Sequence, residues 1–142
     1  MKLKVRHQGT GGFTLIDLMT AIAVAGILMA IAIPRFYAVL PGIRLASAAR
    51  QVATDLQLAR MRAISQRTPQ GLTFNTATTY NFTIGPDTRD LSVLYPGTTV
   101  AVAPGNPIFT TVGSANATTV TLSNNGTNRT VTVNTVGRIF TQ

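Results

Sequence analysis

From Phe13 to Ile33 the chain is apolar apart from Thr14, Asp17 and Thr20. These 21 residues reach roughly 30 Å as an α-helix at about 1.5 Å per residue, enough to cross a bilayer. The one charge in the run, Asp17, lies five residues after Gly12. A carboxylate inside a membrane-length apolar segment is costly and reads as functional. The plainer alternative is a signal anchor with Asp17 near the interface. Lys2, Lys4 and Arg6 precede the run, which predicts a cytoplasmic N-terminus and a translocated C-terminal part.

Pro34 closes the run and lacks an amide hydrogen, so a kink is expected there. Pro41-Gly42 is a second candidate break, and it either bends the helix or ends it. Over residues 43–67, Leu45, Ala49, Val52, Leu56, Ala59 and Ala63 recur at alternating spacings of four and three. That is an amphipathic helix, expected to cover a sheet, with Arg50, Asp55, Arg62 and Arg67 largely off the apolar stripe. Thr68-Pro69 ends it.

Beyond Gln70 the pattern changes to short Thr- and Val-rich runs between turns, which suits β structure. Expected strands lie at 72–74, 80–84, 91–95, 98–103, 108–112, 118–122, 129–133 and 139–141. Asn125-Gly126 is a tight-turn signal within a loop expected to exceed two residues. Of Phe74, Tyr80, Phe82, Tyr95, Phe109 and Phe140, most are read as core by their alternation, against a reading as stacking platforms. The fold class expected is α+β. A long N-terminal helix, kinked near Pro34 and Pro41-Gly42, packs its C-terminal half on an antiparallel β head of one or two small sheets.

Composition excludes more than it suggests. The chain has no Cys and no Glu, and its one His is His7. General acid–base catalysis and most metal sites draw on those residue types, so no enzyme, cofactor or metal site is expected. The formal net charge is +8. After residue 12 it comes from nine Arg and four Asp, a net +5.

Gly12-Phe13-Thr14-Leu15-Ile16-Asp17-Leu18-Met19, with basic residues before it, resembles the N-terminus of type IV pilins and type II secretion pseudopilins. The resemblance implies a cut by a prepilin peptidase between Gly12 and Phe13 and N-methylation of Phe13. It gives Asp17, at the fifth mature position, a role in assembly. The usual residue there is Glu, so Asp17 departs by one methylene. Implied domains are a leader over 1–12, an apolar transmembrane or filament-core helix over 13–42, and a head over 43–142.

The second helix narrows the group. Leu56, Ala59-Arg60 and Ala63-Ile64, followed by the strand at 71–74 and, near the end, Gly137-Arg138, resemble the GspH/FimT group of minor pilins and pseudopilins. The resemblance implies a subunit at or near the tip of a type IV pilus or a type II secretion pseudopilus. Its implied partners are other pilins or pseudopilins, the prepilin peptidase and an inner-membrane assembly platform. Before assembly it would be a single-pass protein of the bacterial inner membrane with a periplasmic head. An alternative implied by the same group is DNA binding for natural transformation, with Arg138 and Arg129 as candidate contacts. Here Gly137-Arg138-Ile139-Phe140 lacks the second arginine of that group's Gly-Arg-x-Arg motif. Arg44, Arg50, Arg60, Arg62 and Arg67 form a basic stripe if exposed. The plainer reading is that they solvate the helix or contact neighbouring subunits.

Overall fold

The structure is a computed structural model, and it describes residues 13–142. The expected leader over 1–12, including Gly12 at the expected cut, lies outside the described residues. Two compact units divide at Ala38/Val39.

In the first unit, α1 (Leu15–Gln66) begins on a reciprocal cap. Thr14 precedes the helix, and its Oγ1 accepts from the Asp17 amide at 3.3 Å. The Asp17 carboxylate accepts from the Thr14 amide at 3.1 Å and from its hydroxyl at 2.7 Å. This Thr-x-x-Asp arrangement is a capping box with the shorter acid. The large apolar side chains from Leu15 to Ile33 are all 53–75 % exposed. A face so apolar and uncovered meets the length and composition of a membrane span. The helix runs without a break in assignment through Pro34, Pro41 and Gly42. Pro41-Gly42 therefore does not end it.

In the second unit the same helix supplies one side of the core. Leu45, Ala49, Val52, Leu56, Ala59 and Ala63 are all fully buried, as their spacing requires. Asp55 departs from expectation: it is 3 % exposed, drawn inward by partners described below. The helix ends at Gln66, with Arg67 in the left-handed region (φ 51°) and Pro69 just beyond.

Two four-stranded antiparallel sheets complete the head. One has the order β3 (Thr88–Asp90), β2 (Thr79–Phe82), β1 (Gln70–Phe74), β5 (Ile108–Phe109). The other has the order β4 (Thr99–Ala103), β6 (Thr118–Asn124), β7 (Thr127–Val133), β8 (Ile139–Thr141). Their inner faces meet the helix through Leu72, Tyr80, Phe82 and Phe109 on one sheet. Val100, Val120, Leu122, Val131 and Val133 do so on the other. Tyr80, Phe82 and Phe109 are core as expected, whereas Phe140 remains 42 % exposed.

Three expectations are corrected. Residues 91–95 read as a strand, yet Leu91–Leu94 is a short helix, α2. Asp90 Oδ1 accepts from the Ser92 amide at 2.8 Å and its hydroxyl at 2.6 Å, and this local cap outcompetes strand pairing. The strand at 108–112 stops at Phe109, because Thr110 and Ser114 close a turn around Gly113 (φ 82°). The loop between β6 and β7 is only Asn125-Gly126, both at positive φ. Asn124 is buried and donates to Thr98 Oγ1 at 3.0 Å and to the Pro96 carbonyl at 3.2 Å. Those bonds hold β6 in register up to the turn.

Candidate functional site

Asp17 occupies the third position of the first helical turn, where the positive end of the helix dipole favours an anion. Its carboxylate is exposed and held by Thr14 alone among the described residues. Thr20 donates its hydroxyl to the Asp17 carbonyl at 2.9 Å and so leaves the carboxylate free. Phe13 is 90 % exposed beside it. The fold thus places one negative charge at the start of an uncovered apolar helix, with no ion-pair partner among the described residues. A charge so placed suits a cationic partner from another molecule, because a lone charge in an apolar setting costs several kcal/mol.

The head's polar network has a structural character. Tyr80 donates its hydroxyl to Asp55 Oδ2 at 2.7 Å. Gln51 Nε2 donates to Oδ1 at 3.2 Å, and Arg89 Nε lies 3.8 Å from Oδ2. This ties the β2–β3 hairpin to the helix. Burial first, then the hydrogen bond to Asp55, pushes the Tyr80 phenol far above its ordinary range. Arg62 sits 4.5 Å from the centre of the Phe82 ring and 3.8 Å from Asp87. Arg62 and Arg89 are therefore engaged inside the head, as is Arg60, whose Nε donates to the Gly113 carbonyl at 3.0 Å.

Arg60 explains a second feature. A Cβ on Gly137 (φ 78°) would collide with the Gly113 carbonyl oxygen and come within 3.1 Å of Arg60 Nε. The helix arginine, the β5–β6 turn and the turn before β8 thus interlock. Sequence reading singled out Arg60 and Gly137 separately and missed that they meet. Gly113, an isolated glycine after a strand run, was the one signal available.

The candidate DNA contacts are not brought together. Arg129 stands opposite Leu122 near the hairpin turn, whereas Arg138 pairs through its backbone with Asn134 at the other end of β7. Five positions along a strand correspond to roughly 16 Å. The Arg138 guanidinium lies 5.3 Å from the centre of the Phe140 ring. Among the described residues no three His, Cys, Asp or Glu side chains gather as a metal site.

A long N-terminal helix carrying an uncovered apolar half, with two antiparallel sheets packed on its other half, is a pilin-like fold. The profile described as Type II transport protein GspH matches residues 48–137. The chain belongs to that family. Solved structures agree on the fold. The type IV minor pilin FimU of Pseudomonas aeruginosa superposes with a TM-score of 0.59 at 20 % identity, covering 69 % of this chain and 87 % of that one. The minor pseudopilin EpsH from the type 2 secretion system of Vibrio cholerae gives 0.58 at 14 % identity, with 70 % and 96 % covered. GspH of Escherichia coli gives 0.56 at 13 %, with 70 % and 88 % covered. No curated protein sequence matches the chain.

Proposed function

We propose that the chain is a filament subunit of a type IV pilus or a type II secretion pseudopilus, placed at or near the tip. A prepilin peptidase removes residues 1–12, and Phe13 becomes the methylated N-terminus. The segment over 13–42 waits in the inner membrane with its N-terminus cytoplasmic, and the head over 43–142 lies across the membrane. An assembly platform then moves the helix into the filament core, with Pro34 as a flexible joint. Asp17 receives the N-terminal amine of a neighbouring subunit, and this charge pair selects the register.

The observation that carries this reading is the Asp17 carboxylate at the head of an uncovered apolar helix, with no ion-pair partner among the described residues. Capping by Thr14 holds it in place in the lone subunit and lowers the cost of carrying it. The processing half of the proposal is tested by mass spectrometry of the N-terminal peptide from cells containing the peptidase. A peptide starting at Phe13 and carrying one added methyl group is expected. An intact leader would leave an ordinary membrane-anchored domain instead.

DNA binding is the second reading, and it draws on Arg129 and Arg138, both exposed and without a carboxylate partner among the described residues. Their separation along β7 weakens it, because non-specific binding needs several phosphate contacts acting together.

A further inference from the structure

The outward face of the head's helix is nearly free of charge. Ile43, Arg50, Thr54, Gln57, Met61 and Ile64 are all exposed and fall on one stripe. Ile43, Met61 and Ile64 are 55 %, 59 % and 46 % exposed. A helix face meant only for water carries charges of both signs at most turns. Here Arg50 is the one charge on the stripe. Beside it, Gln57, Arg60 and Met61 line a shallow hollow of about 290 Å³ with Gly137 and Ile139.

The head's charges decide what this face fits. From Val39 onward there are eight arginines and three aspartates, a net +5. All three carboxylates already have partners within the head, Asp55 buried and Asp87 and Asp90 at its surface. Asp55 holds Tyr80 and faces Arg89, Asp87 faces Arg62, and Asp90 caps α2. Hydrogen bonds from Ser92, side chain first, hold the Asp90 carboxyl below its ordinary value and keep it engaged as an anion. Arg50 has no carboxylate within 4 Å among the described residues. A second copy of this head would therefore meet Arg50 with a surface of net positive charge whose carboxylates already have partners, and like charges at a contact are costly. Nucleic acid fits poorly too, since a single cation amid isoleucine and methionine offers one phosphate contact.

We infer that the Ile43–Ile64 face docks a different pilin-class subunit, one that presents a carboxylate to Arg50 between apolar side chains. This rests on the filament reading, because assembly is what brings a second head alongside. The subunit would thus be specified for contacts with unlike neighbours, with its own copies disfavoured at this face.

The chain has no native cysteine, so Thr54→Cys creates a unique site for a benzophenone-maleimide photo-crosslinker. The full chain is expressed with the other subunits of its filament, and adducts are identified by mass spectrometry. The expected product joins residue 54 to another pilin-class subunit at a segment containing Asp or Glu. Adding Arg50→Glu should cut that adduct roughly tenfold, whereas Arg129→Glu, the same charge change at the distant hairpin, should leave it within about twofold. An adduct of two copies of this chain, a nuclease-sensitive adduct, or a product insensitive to Arg50→Glu would each overturn the inference. A parallel probe at Leu18→Cys reads helix–helix assembly. Adducts at 18 with none at 54 overturn this inference alone, and adducts at neither overturn the filament reading with it.

Discussion

Arg60 Nε donates to the Gly113 carbonyl at 3.0 Å, and Gly137 closes over the same junction. One arginine thus stitches the head's helix to the two turns that flank its strands. Replacing Arg60 with Ala removes a charge-assisted bond worth about 1–2 kcal/mol in this half-buried setting. Gly137→Ala meets both the Gly113 carbonyl and a left-handed backbone, and it should cost about 2 kcal/mol or more. Thermal melts of the purified chain should show both losses. In the double variant the losses should fall short of additive, since the residues share one junction. Full additivity would deny the interlock.

The Tyr80–Asp55 bond makes a pH prediction. A phenol whose pKa is raised on folding binds its proton more tightly in the folded state. Its stabilising contribution is complete below the unfolded value near 10 and is lost as pH rises past it. Chemical denaturation from pH 8 to 11 should show stability falling above about pH 10. Tyr80→Phe should flatten that fall while lowering stability at pH 8 by about 1–3 kcal/mol, because Asp55 stays buried with one donor fewer. An unchanged alkaline slope in Tyr80→Phe would remove Tyr80 as its source.

Arg129 on β7 and Arg138 just before β8, beside opposite ends of β7, predict weak DNA binding at most. Duplex DNA titrated into the detergent-solubilised chain should show little affinity at physiological salt, and Arg138→Ala should change it by less than about threefold. Salt-sensitive binding that collapses with Arg138→Ala would restore the DNA-uptake reading.

Legibility in the sequence followed the range of the interactions. The buried stripe from Leu45 to Ala63 was readable because it depends only on spacing along one helix. Strand ends were harder. Leu91–Leu94 reads as a short, mostly apolar run, but a single capping carboxylate from Asp90 decides it as helix. Asn124 and Asn125 look alike in sequence, yet the first is anchored to Thr98 and only the second turns the chain. At the candidate site, Asp17 stood out as a lone charge in an apolar run. The inward turn of Asp55 and the meeting of Arg60 with Gly137 depend on contacts between distant segments, which no local pattern carries.

Asp17 bears the central claim. The measurement is filament incorporation of Asp17→Asn beside Asp17→Glu, at matched membrane levels and with N-terminal processing checked in each. Asparagine keeps the size and much of the Thr14 cap but not the charge, so incorporation should fall by at least about a hundredfold if a pair worth several kcal/mol is lost. Glutamate keeps the charge and should assemble. Asp17→Asn filaments at the parent's level would contradict the account and leave Asp17 as nothing more than a helix cap.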